Sequence, residues 1–187
     1  MPSDNRQAIV VKPLNASNAR VTAFEFHDGR WYAVFWPMRA TVGRRGVAPL
    51  NEKREGDGRT PSGIYDIGVA FGYAKTIPTQ LVYHQTTDQD FWVDDVNSPE
   101  YNQWVKGTPK AASFELMKRK DDLYRYGAVI EYNTHPIVSG NGSAIFMHIW
   151  RGPGKPTSGC VAFSPRSLKH VLQWLNASQK PVIVILN

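Results

Sequence analysis

Short runs of β-branched and aromatic residues, each ended by glycine, proline, asparagine or aspartate, recur along most of this chain. Such spacing suits strands of a few residues joined by turns. Val21–Phe26 and Trp31–Trp36 flank Asp28-Gly29, a pair suited to a primed two-residue turn, which predicts a β-hairpin. Ile64 to Ile67, Gln80 to His84, Phe91 to Asp94, Ala128 to Tyr132, Ala144 to Trp150 and Pro181 to Leu186 are further strand candidates. Only one segment has a clear helical period. Ser164 is a suitable N-cap and Pro165 a suitable first helical residue. Leu168, Val171, Leu172 and Leu175 then fall at i, i+3, i+4 and i+7, which predicts a helix over 165–178. Residues 97–119 are polar and aromatic, with Pro99 and Pro109, and read as an excursion with short helical turns that walls a site. The fold class is therefore mainly β with minor α, a sandwich or barrel-like sheet assembly.

The chain has 187 residues, the length of one domain, and 42% hydrophobic residues with six tryptophans are enough to build a core. No apolar run approaches the roughly 18 residues that would span a membrane. Lys and Arg outnumber Asp and Glu by 22 to 16, a net charge of +6, which favours anionic partners. The densest basic cluster, Lys118-Arg119-Lys120, is followed at once by Asp121-Asp122 and reads as a solvated surface, so nucleic acid is not an expected partner. Met1-Pro2-Ser3-Asp4-Asn5 has no basic region followed by an apolar one, so no signal peptide is visible.

Cys160 is the only cysteine, so it makes no intramolecular disulfide. It closes Thr157-Ser158-Gly159-Cys160, twelve positions after His148. His148 sits near the end of an apolar strand candidate, and Arg151 to Pro156 is a loop by composition. A strand-borne histidine near a thiol at a loop mouth has the parts of a thiolate–imidazole pair. Backbone N–H groups near Gly159 and Cys160 are placed to stabilise an oxyanion. The alternative is a buried cysteine beside a satisfied core histidine.

The segment around His148 and Thr157-Ser158-Gly159-Cys160 resembles the L,D-transpeptidase catalytic domain of the YkuD type. A second block resembles the same family: Gly43-Arg44-Arg45-Gly46, then Lys53 to Gly63 with its Gly-Asp-Gly-x-Thr-Pro-x-Gly run. Tyr101-Asn102, Ser113 to Met117 and Val129 to Asn133 are similar to a compact branch. The resemblance covers about residues 40–186, with the 20–37 hairpin packed onto that region in a single domain of 1–187. It implies a YkuD-like sheet assembly that acts on peptidoglycan stem peptides through a cysteine acyl-enzyme, without a cofactor. Cys160 is then the nucleophile and His148 the base, Ile149 supplies a carbonyl that orients the imidazole, and Gly159 lies at the oxyanion site. Ser158, Thr157, Tyr101, Asn102, Glu115, Asn133 and Asp57 are the candidate substrate-binding residues. The chain departs from better-known members in having Ser158 before the Gly-Cys pair and Ala162 two residues after it, and in a shorter loop after His148. The resemblance implies a cell-envelope or periplasmic location, while a single cysteine suits either side of the membrane. A catalytically weak peptidoglycan-binding module, an L,D-carboxypeptidase and another thiol peptidase are the alternatives.

Other histidines lack metal-ligand spacing, so no metal site is expected. His27 reads as a turn residue, His135 as a loop residue and His170 as a helix position. Gly56-Asp57-Gly58 resembles part of a calcium loop but lacks the remaining oxygen ligands, and a tight turn near the cleft is the simpler reading.

Overall fold

The computed structural model describes residues 4–187. Residues 1–3, which head the stretch read as having no leader, lie outside the described residues. Fifteen strands follow one another along the described residues. They are β1 (Gln7–Pro13), β2 (Asn18–His27), β3 (Arg30–Ala33), β4 (Met38–Thr41), β5 (Val47–Ala48), β6 (Thr60–Pro61), β7 (Gly63–Gly72) and β8 (Tyr83–Gln85). Then come β9 (Asp90–Val93), β10 (Trp104–Lys106), β11 (Phe114–Leu116), β12 (Tyr126–Ile130), β13 (Phe146–Ile149) and β14 (Val161–Phe163). A helix, α1 (Pro165–Trp174), and a short 3-10 turn (Ala177–Gln179) precede β15 (Val182–Ile185).

The main sheet runs β1-β15-β7-β12-β13-β14-β4-β2, and a β1–β2 pairing closes it into a barrel-like ring. Closure removes the free edges that an open sheet would expose. β3 extends β2 as the hairpin arm, and β8 pairs with β7. The Asp28 and Gly29 φ angles, 51° and 75°, are those of a primed turn. The N-terminal strands are thus staves of the closed sheet, and only the arm beyond β2 stands outside it.

Alternation along each strand divides the apolar residues between two cores. Inside the ring, Ile9, Val11, Val21, Met147, Ile149, Val161, Phe163 and Ile183 join the apolar stripe of α1, Leu168, Val171 and Leu172. Ser164 accepts the Ser167 N–H as the expected N-cap. The helix ends at Trp174, before the expected 178, because Leu175 turns to an extended conformation. A second core forms on the outer face, from Phe71, Trp92, Met117, Tyr124, Val129, Phe146 and Cys160. Its cover is the excursion, and here the structure differs from the sequence reading. Residues 97–119 carry no helical turns; β10 and β11 flank β9 in a three-stranded antiparallel sheet. The run expected over 80–84 is also mostly irregular, reduced to a Gln80–Asn176 bridge and β8.

The glycine-rich block before β6 is packed backbone to backbone. A β-carbon on Gly43 would lie 2.4 Å from the Gly58 carbonyl oxygen. Gly43→Ala is therefore expected to destabilise the fold by about 2 kcal/mol or more, since backbone cannot yield as a side chain does. Urea unfolding checks this, and a change below about half a kilocalorie would show that the contact relaxes freely.

Candidate functional site

β13 and β14 are parallel, with Met147 opposite Val161, His148 opposite Ala162 and Ile149 opposite Phe163. Met147, Val161, Ile149 and Phe163 face the ring interior. By period 2, Phe146, His148, Cys160 and Ala162 share the outer face. Cys160 comes just before β14 beside Phe146, whose N–H donates to its Sγ at 3.4 Å. The thiol in turn donates to the Ala144 carbonyl at 3.3 Å. One pleat further along stands His148, with only the methyl group of Ala162 opposite.

The two glycine-bearing blocks of the sequence meet here. Gly43 bridges Thr157, Arg44 N–H donates to the Thr157 carbonyl at 2.8 Å, and Thr157 N–H donates to the Val42 carbonyl at 2.9 Å. The Thr157 hydroxyl donates to the Cys160 carbonyl at 2.7 Å and accepts the Gly159 N–H at 3.1 Å. The segment that presents the thiol is thus clamped from both sides. Gly159 N–H is already engaged in this arrangement.

Cys160 and His148 are 7% and 6% exposed and line one cleft of about 270 Å³ with Arg44, Glu115, Tyr124 and Ser158. A second cleft of about 250 Å³ also reaches Cys160 and is lined by Lys53, Glu55 and Ser143. Arg44, Glu115, Ser158 and Cys160 line both. His148 Nδ1 lies 2.7 Å from the Ile149 carbonyl oxygen. With a proton on Nδ1 it donates there, which leaves Nε2 unprotonated and basic. The Tyr124 ring meets the imidazole edge to face at 5.2 Å. Its hydroxyl donates to the Glu115 carboxylate.

Burial keeps both members of the pair neutral. Desolvation pushes the Cys160 thiol up to about 12, aided by the Glu115 charge, and draws the His148 imidazole down to about 4. Burial also raises the Glu115 carboxyl, against the hydrogen bond from Tyr124. The imidazole carries a consequence for stability. Below its unfolded value of 6.5 the unfolded chain binds the proton that the folded chain refuses, so stability falls with pH from about 6.5 and levels off near 4. The loss attributable to this one residue is on the order of 3 kcal/mol. Urea titrations across that range, wild type against His148→Gln, should show a shallower acid slope in the variant. Equal slopes would remove the assignment.

The structure brings some of the remaining sequence candidates to Cys160 and keeps others away from it. Thr157, Ser158, Gly159 and Glu115 stand at the clefts beside Cys160. Asn102 is buried and its amide is spent on structure. It accepts from Trp92 Nε1 and the Ala144 N–H, and donates to the Tyr132 and Asn133 carbonyls. Asn133 fastens its own loop through the Val138 and Gly142 carbonyls and borders a separate cavity with Tyr65 and Tyr132. Tyr101 is buried and donates to Glu55 at 2.6 Å, as does the Ser143 hydroxyl. Asp57 caps its turn by accepting the Arg54 and Arg59 N–H groups and pairs with the buried Lys53 at 2.9 Å. It borders neither cleft beside Cys160. Among the described residues no three His, Cys, Asp or Glu side chains are grouped to hold a metal. No helix among them is long and apolar enough to cross a membrane. Tyr124 was not singled out from sequence: it has no local pattern and reaches the site only through packing of the outer core. Lys53 heads the glycine-rich block, and only the fold brings it to the second cleft.

Two solved structures of Pgp2 from Campylobacter jejuni, a helical cell shape determining protein, are similar to this chain, one of them a point mutant. Identity is 18% and 16%, and the TM-score is 0.48 for both. The match covers 98% of this chain but 48% and 47% of theirs, so the chain spans about half the length of those proteins. No curated protein matches. The L,D-transpeptidase catalytic domain model (YkuD) matches residues 7–184, which takes in the N-terminal staves as well as both glycine-bearing blocks. With almost the whole ring and the Cys160–His148 cleft inside that match, the chain belongs to the L,D-transpeptidase (YkuD) catalytic domain family.

Proposed function

We propose that this chain is a cysteine acyltransferase acting on peptidoglycan stem peptides. The observation that carries this reading is the shared cleft of Cys160 and His148, with the imidazole oriented by the Ile149 carbonyl. Sγ attacks the carbonyl carbon of the scissile peptide bond as its proton passes to His148 Nε2. The C–N bond then breaks, the leaving amine takes that proton, and an acyl-thioester remains on Cys160. An incoming amine or water attacks the thioester and restores the thiol. Gly159 N–H is held by Thr157, so the Cys160 amide is the oxyanion donor we assign.

Cys160 lies where two clefts join, and that supports a donor on one side and an acceptor on the other. Intact-protein mass spectrometry with purified disaccharide-tetrapeptide tests the reading. An acyl adduct with cross-linked dimer identifies transpeptidation, and an adduct with tripeptide alone identifies carboxypeptidation. Neither adduct nor product would sink the proposal. One observation favours the second reading, a binding module of weak activity: the thiol is nearly buried and donates to the Ala144 carbonyl. That reading predicts retention on purified sacculi with no adduct.

A further inference from the structure

The register that places His148 also places a row of cations one pleat away. His148 lies opposite Ala162, Ala162 opposite Thr41, and Thr41 opposite Asn18. This rung crosses four strands from the cleft to the outer barrel wall. Two residues along β4 and β2, on the same face, Arg39 lies opposite Arg20, and Arg20 opposite Lys12 on β1. All three side chains are exposed, and none has an ion pair or hydrogen bond among the described residues. Adjacent strands are about 4.8 Å apart, so three positive charges are strung over about 10 Å. Like charges directly opposite each other destabilise a sheet, so this rung weakens the fold unless something anionic lies on it. The row continues toward the cleft. A β-carbon on Gly154 would lie 3.9 Å from the Asn18 side-chain oxygen, so the 151–156 loop touches this wall. Arg151 and Lys155 of that loop line the cleft with Arg44.

We propose that Lys12, Arg20 and Arg39, continued by Lys155 and Arg151, form a track for a carboxylate-bearing polymer. The polymer is the glycan–peptide of the wall in its polymeric form, and the track would lay it across the barrel with one stem peptide in the cleft. This rests on the proposed function. A flat bilayer surface is the less suitable partner, because the cations follow a path from a convex wall into a concave cleft. A flexible chain can follow that path and a membrane cannot.

Binding is measured in a Cys160→Ala background, so the outcome does not depend on turnover. The probes are purified sacculi, by co-sedimentation, and poly-L-glutamate, by fluorescence anisotropy. Lys12→Gln, Arg20→Gln and Arg39→Gln combined should weaken both by about tenfold, and wild-type binding should weaken comparably between about 50 and 300 mM salt. Arg20→Lys with Arg39→Lys should bind within about twofold of wild type, since the charges remain. The melting temperature of the triple Gln variant should not fall, because a repulsive row has been removed. Equal binding by the triple Gln variant overturns the track. So does charge-dependent binding to vesicles of equal parts phosphatidylcholine and phosphatidylglycerol without binding to poly-L-glutamate. Absence of an acyl adduct on the wild-type protein with soluble tetrapeptide, by contrast, would overturn the catalytic reading and leave this result standing.

Discussion

Cys160→Ala is expected to lower acyl transfer by at least about 10⁴-fold while the protein keeps its fold, because no other side chain at the cleft can replace a thiolate nucleophile. The structural cost should be near 1 kcal/mol, as one buried sulfur and its two weak hydrogen bonds are lost. Urea unfolding and product analysis on the same preparation separate the two effects. Turnover within tenfold of wild type would remove Cys160 as the nucleophile. Cys160→Ser is the sharper variant. It keeps an O–H of similar shape, but an alcohol is a much weaker acid and nucleophile than a thiol, so acyl transfer should stay low.

Phe146→Ala should be the most destabilising single substitution at the site, at about 3–5 kcal/mol. Phe146 is fully buried and meets Phe71, Trp92 and Tyr124 edge to face at 5.6, 5.0 and 5.6 Å. Its removal opens a cavity bounded by the very ring, Tyr124, that rests against His148. Turnover should fall along with stability. Phe146→Leu, which keeps most of the volume, should cost under about 2 kcal/mol. Chemical denaturation of both variants provides the comparison. A cost below about 1 kcal/mol for the alanine would mean that the outer core collapses around the gap and is not rigid.

The parts of this fold that were legible in sequence are those with local signals. Asp28-Gly29 announces its turn, Ser164-Pro165 its helix start, and the apolar run from Ala144 to Trp150 its strand, which forms over Phe146–Ile149. β10 and β11 were not legible because three residues cannot display a period of two, and Pro99 and Pro109 argue against strands. They exist because β9 offers both of its edges. Ring closure through β1 joins residues about 175 positions apart, as in the Ala8–Val182 pairing, and leaves no local trace. At the site, Cys160 and His148 stood out by residue type and spacing. Tyr124 did not, since a tyrosine in a turn looks like any other until Phe146 and His148 are folded against it. Asn102 and Asn133 show the converse: they sit in matching blocks, yet their amides are occupied by backbone carbonyls.

The thiol and the imidazole owe their separation to the parallel ladder of β13 and β14, not to the ten-odd residues that connect them. The stretch between Arg151 and Thr157 can therefore change in length without moving the reactive pair out of register. A scaffold of this kind can reshape its cleft by exchanging one surface loop while Cys160 and His148 stay in register. Loop grafts between Trp150 and Thr157 are accordingly a natural starting point for changing what the cleft admits.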